Sequence, residues 1–134
     1  MIGVLVVTHG SIGEALLTSA AQILGGAPAQ VATLSVWRQD DPDDLVLRAR
    51  ELLESLDAGD GVLVLTDIFG ATPGNVVSRL LEDGRIEGVS GASLPMLLRV
   101  LTGRNGSLAG AVQRALSGGT EGLVHMNSDR CLDA

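Results

Sequence analysis

Two unbroken aliphatic runs constrain this chain more than any other feature. Met1-Ile2-Gly3-Val4-Leu5-Val6-Val7 and Gly61-Val62-Leu63-Val64-Leu65-Thr66 show no alternation of polar and apolar residues. A strand with one wet face alternates, whereas a strand that is apolar throughout must be covered on both faces, as in the parallel sheets of α/β domains. The first run has no basic flank, is interrupted at Thr8, and is much too short for a bilayer span or a secretion signal.

Between and after these runs the period changes to that of helices. Ser11, with Glu14 three residues on, has capping-box spacing and opens a helix whose stripe is Ile12, Leu16, Ala20 and Ile23, stopped at Gly25-Gly26. Val31 to Val36 reads as a second strand. The acidic turn Asp40-Asp41-Pro42-Asp43-Asp44 suits the positive end of a helix carrying Leu45, Ala49, Leu52, Leu53 and Leu56. Pro73 opens a third helix with Val76, Val77, Leu80 and Leu81, and Ile86 to Ala92 forms a fourth strand. Pro95 opens the next helix through Leu97, Leu98 and Leu101. After Asn105-Gly106 a last helix runs over Leu108, Val112, Ala115 and Leu116 to a stop at Gly118-Gly119. Gly122 to Met126 is expected to be a short last strand. There is no repeat or linker, so residues 1–134 are expected to form one domain. The alternation of elements predicts a doubly wound α/β fold: an open, mainly parallel sheet with helices on both faces.

Composition narrows the function. Hydrophobic residues make up 46% and aromatic residues 1%, so the core is expected to be aliphatic, packed around Trp37 and Phe69. Nine basic residues, all Arg, face sixteen acidic ones, and a net charge of -7 offers no field for nucleic acid or an anionic membrane. Cys131 is the only cysteine, which excludes an intrachain disulfide and a cysteine-rich metal site and fits a reducing cytoplasm.

In doubly wound sheets ligands bind beyond the carboxyl ends of the strands, where the strand order reverses. His9 follows the first buried strand directly and precedes a helix start at Gly10-Ser11, where free N–H groups favour an anion. A lone histidine in such a place more often only hydrogen-bonds within a turn. Asp67 ends the third strand, and if the two strands flank the switch point its carboxylate can hold one ring nitrogen of His9 and leave the other as a nucleophile. Its plainer role is an Asx turn or a cap. Gly70, Ala71 and Thr72 precede Pro73 and present small residues and a hydroxyl at a second helix start. His125 has no such setting, and no metal constellation appears.

These residues resemble one family closely. Ile2-Gly3-Val4 through Thr8-His9-Gly10, the stretch Thr66-Asp67-Ile68-Phe69-Gly70-Ala71-Thr72-Pro73-Gly74-Asn75, and Gly91-Ala92-Ser93-Leu94-Pro95-Met96 are similar to the IIA component of the mannose, fructose and sorbose class of the phosphoenolpyruvate-dependent sugar phosphotransferase system. The resemblance implies that His9 accepts a phosphoryl group from the phosphohistidine of the carrier protein HPr and passes it to a IIB component, with neither metal nor cofactor. It also implies that Asp67 orients His9, that Thr72 lies beside the phosphate and that Ala71 replaces a frequent glycine; Gly10 and Ser11 at one helix start and Gly70, Ala71 and Thr72 at the other are the residues expected to bind the phosphate. Further implications are a cytoplasmic homodimer that exchanges the Gly122–Met126 strand, without membrane insertion but able to associate peripherally with a IIC/IID permease. No IIB domain follows in the sequence, which predicts a stand-alone relay subunit in sugar uptake or regulation. The rivals are the phosphoryl-donor subunit of a dihydroxyacetone kinase and a small cobaltochelatase, whose first strand can also end in His-Gly-Ser. The latter needs a second well-placed histidine.

Overall fold

The computed structural model describes residues 1–129. Four strands, β1 (Gly3–His9), β2 (Val31–Val36), β3 (Val62–Thr66) and β4 (Ile86–Ser90), form one sheet of order β2-β1-β3-β4, with every pairing parallel. The two aliphatic runs are its central strands, which is why they carry no polar face: Leu5, Val7, Val62 and Val64 point to one core, and Val4, Val6, Leu63 and Leu65 to the other.

The helices follow the strand order. On the first face lie α2 (Pro42–Leu56), through Leu45, Val46, Ala49, Leu53 and Leu56, and α3 (Thr72–Ser78), through Val76 and Val77. On the second face lie α1 (Ile12–Leu24), α4 (Leu94–Leu101) and α5 (Leu108–Glu121). The chain therefore moves outward from β1 to β2, returns past β1 to β3, and continues to β4. The reversal falls between β1 and β3.

Caps agree with the sequence at α2, where the Asp41 carboxylate accepts from the Asp43 N–H, and at the end of α1, where Gly25 takes φ +84°. Four expectations fail for physical reasons. Ser11 and Glu14 make no capping box. Thr8, fully buried, has a hydroxyl that needs a partner, and it accepts from the Gly13 N–H at 2.8 Å. Glu14 instead accepts from Ser35. The α1 stripe is turned: Leu16 and Ala20 pack on the core as expected, but Gly13 joins them while Ile12 and Ile23 are exposed, because a Cβ at Gly13 would crowd Thr8 and Val6 at 3.1–3.4 Å. Trp37 and Phe69 are exposed rather than central, and the core is wholly non-aromatic among the described residues.

The fourth failure is at the end of the chain. Gly118-Gly119 does not stop α5, which runs on to Glu121. Gly118 stays helical because its missing side chain admits α4; a Cβ there would stand 2.7 Å from the Cβ of Arg99. The predicted strand Gly122–Met126 is instead a turn leading into α6 (Met126–Asp129). Cys131 lies outside the described residues.

Candidate functional site

The ladder between β1 and β3 ends at the pair Val7 and Thr66. Beyond it the backbone N–H of His9 goes to a side chain, donating to Asp67 Oδ2 at 3.1 Å. The same oxygen lies 2.9 Å from Nδ1 of the His9 ring. The other carboxylate oxygen accepts from the Ile68 N–H. Asp67 thus fixes both the backbone and the ring of His9. An ionised carboxylate can only accept, so Nδ1 carries the proton and Nε2 bears the free lone pair.

The surroundings keep that carboxylate charged. Burial pushes the Asp67 carboxyl up, but the hydrogen bonds from the His9 ring and the His9 backbone N–H act against it, and the net shift is downward from its ordinary value. The Asp67 side chain is 13% exposed and that of His9 48%, so the orienting group is sheltered while the imidazole faces solvent. This asymmetry suits a nucleophile that must meet a large partner.

His9 opens into a cleft of about 560 Å³ whose lining includes Trp37, Arg38, Asp40, Pro42 and Thr72. Register explains the assembly, since Val36 pairs with His9 and the turn after β2 therefore rises beside the imidazole. Pro42 and Thr72 bring the starts of α2 and α3 to the same gap.

Of the predicted phosphate-surrounding residues, only Thr72 lines this cleft. It is the first residue of α3, with Ala71 at the cap position and no side-chain cap bond. Gly10 lies against the Trp37 ring, and its N–H donates to the Val36 carbonyl. Ser11 precedes α1 with its hydroxyl uncommitted to the cap. Gly70 and Ala71 lead into α3 without reaching the cleft wall. Trp37, Arg38 and Asp40 were not legible as site residues, because nothing local places the end of β2 next to His9. His125 is not in the cleft, and its Nδ1 lies 2.8 Å from Ser128 Oγ. Among the described residues no three His, Cys, Asp or Glu side chains are grouped to hold a metal ion, and no helix is long and apolar enough to cross a membrane.

Comparison with known proteins places this chain in a family. The family model described as the PTS system fructose IIA component matches residues 3–116. The mannose-specific EIIAB component of Escherichia coli is 31% identical over 125 residues, covering 91% of this chain; the match takes in 38% of that relative's length, so this chain spans well under half of it. The fructose-specific EIIA component of Bacillus subtilis is 32% identical over 103 residues, 76% of this chain and 70% of the relative. A crystal structure of phosphotransferase system component EIIA from Streptococcus agalactiae superposes with a TM-score of 0.84 at 26% identity, covering 96% of this chain and 99% of that one. The chain belongs to the mannose/fructose family of EIIA components of the sugar phosphotransferase system.

Proposed function

We propose that this chain is a cytoplasmic phosphoryl relay, in which His9 receives a phosphoryl group from the phosphohistidine of HPr and delivers it to a IIB component in sugar uptake or its regulation. The observation that carries the proposal is the single carboxylate oxygen of Asp67 that holds both the N–H and Nδ1 of His9 at the switch point, leaving Nε2 without a partner among the described residues of a histidine that lines the cleft.

In the forward step the Nε2 lone pair forms a new N–P bond while the N–P bond of the donor breaks, and the released electron pair returns to the donor imidazole. The Nδ1 proton of His9 stays in place, and Asp67 balances the positive charge that the phosphorylated ring acquires. Transfer between two imidazoles is close to balanced, so the protein needs to supply alignment and shelter for the phosphoryl oxygens rather than driving force. Thr72, with the backbone N–H groups at Gly10-Ser11 and Gly70-Ala71, supports that shelter in this reading.

The same reading includes a homodimer. Beyond Ile86, which Glu82 bridges, the edge of β4 has no strand partner among the described residues and flanks an apolar cleft that includes Phe69, Val77, Leu81, Val112 and Leu116, while Leu123, Val124 and Met126 are exposed nearby in the chain. An open edge with apolar flanks favours pairing with a second copy. A full-length monomer in sedimentation at micromolar concentration contradicts the dimer.

The relay itself is tested by incubating the protein with phosphoenolpyruvate, enzyme I and HPr. The expected product is acid-labile, base-stable and absent from His9→Ala. Label retained by His9→Ala, or label stable to mild acid, rejects the assignment.

A further inference from the structure

The turn after β2 holds a cation beside His9 that the relay as described does not use. Trp37 anchors this turn. Its N–H donates to Asp40 Oδ2 at 2.8 Å, its carbonyl accepts from the Asp40 N–H at 3.0 Å, and its ring lies so close over Gly10 that a Cβ there would meet Cζ3 at 3.1 Å. A half-exposed indole is thus seated against the residue next to His9.

The acidic groups around the cleft are already engaged. Asp67 is bound to His9, Asp40 to the Trp37 N–H, Asp41 to the Asp43 N–H and Asp43 to Arg79. Most described arginines are engaged too: Arg79, Arg85 and Arg99 pair with carboxylates, and Arg50, Arg104 and Arg114 donate to backbone carbonyls. Arg38 has no hydrogen-bond or ion-pair partner among the described residues, and it is the only basic side chain lining the cleft apart from His9 itself. Arg48, likewise without a partner, lies in a separate groove beside Glu51.

A phosphoryl group on Nε2 adds up to two negative charges to a cleft that already holds two carboxylates, Asp40 at its wall and Asp67 behind the ring. A guanidinium offers planar paired donors that match phosphoryl oxygens, and one not held by another acid loses no existing bond in turning to them. We infer that Arg38, carried on the Trp37 turn, binds the phosphoryl oxygens on Nε2 of His9 and so both speeds transfer and protects the phosphohistidine. This inference rests on the relay reading of His9, deepening it by adding a residue that touches the transferring group.

The test uses two donors, so that the group and the partner are separated. The full chain and its Arg38→Met and Arg38→Lys variants are labelled with phosphoramidate, a small donor that needs no partner protein, and in parallel with phospho-HPr. Loss of one charge-assisted contact in an open cleft predicts a slowing of about tenfold in Arg38→Met with both donors, with Arg38→Lys in between. The phosphohistidine should also hydrolyse faster in Arg38→Met, with a displaced ³¹P resonance. Arg38 is exposed, so the variants should melt as the parent does. Labelling of Arg38→Met by phosphoramidate at the parental rate overturns the inference. Slowing with phospho-HPr alone also overturns it, because Arg38 would then touch the partner rather than the phosphoryl group. Failure of the parent protein to accept label from phospho-HPr counts against the relay, while the phosphoramidate series still decides the role of Arg38.

Discussion

At the amino end of the sheet, a Cβ on Gly3 would stand 2.5 Å from the carbonyl oxygen of Leu56; at the carboxyl end, Gly70 and Gly91 face open space. The same contrast runs through the polar groups. Near the start of β1, the buried Arg104 donates to the carbonyls of Ile2, Ala29 and Gln30, Gln30 donates to those of Met1 and Leu56, and Asp57 holds the N–H groups of Gly59 and Gly61 together with Arg85. Gly61 combines φ +86° with a backbone contact to Arg85 that leaves no room for a side chain. At the other end the largest side chains are left out of the core, with Trp37 at 50% and Phe69 at 82% exposure and His9 half-exposed. The amino end is closed by packing and hydrogen bonds that connect loops far apart in sequence. At the carboxyl end the contacts are local, from His9 to Asp67 and within the Trp37 turn, and the side chains of Trp37, Phe69 and His9 stay accessible. Stability concentrated at one end permits an open imidazole at the other, and substitutions should divide accordingly.

The largest expected effect lies at the open end. Asp67→Asn keeps the shape but can present an amide N–H to Nδ1 and disturb the tautomer. Transfer from phospho-HPr should slow on the order of 100-fold or more while the thermal midpoint moves little. A rate within a few-fold of the parent, measured by quench-flow labelling, contradicts the orienting role.

The closed end should give the opposite result. Arg104→Met leaves carbonyls at Ala29 and its neighbours without their donor and is expected to cost roughly 2 kcal/mol in chemical denaturation, with the labelling rate of the folded fraction unchanged. A smaller effect is expected where the two ends meet in β1. Thr8→Val removes the acceptor for the Gly13 N–H and should cost about 1 kcal/mol, as loss of a helix cap does. If Thr8→Val slows transfer more than it lowers stability, the division between the ends is wrong at that residue.

Acid titration gives the smallest change but fixes a sign. The Asp67 carboxyl lies below its ordinary value of 3.8 in the folded chain, so its contribution to stability is complete above that value and is lost as pH falls through the lowered one. The stability difference between the parent and Asp67→Asn should therefore close only below pH 3.8. A difference that closes above pH 5 contradicts the lowered carboxyl.

What could be read from the sequence follows from how local each cause is. The two aliphatic runs and the leucine stripe of α2 are visible because burial on both faces, or on one, is written in consecutive residues. His9 and Asp67 are visible because each ends such a run, and carboxyl ends of parallel strands converge at a switch point whatever the loops do. The cap on α1 is not legible because Ser11 has the right spacing, while the actual acceptor, Thr8, belongs to the preceding strand; Gly13, which makes room for it, is the one local trace. Gly118 and Gly119 read as helix breakers because their partners, Arg99 and Met96, lie in another helix. Trp37 and Arg38 join His9 only through the pairing of β2 with β1, a long-range contact with no local trace.

The most direct test of the account is which ring nitrogen carries the phosphoryl group. After labelling with phospho-HPr, ¹⁵N and ³¹P NMR of the histidine ring should show phosphorus coupled to Nε2 of His9, with Nδ1 still protonated. Phosphorus on Nδ1, or on His125, would contradict the geometry from which the relay was derived.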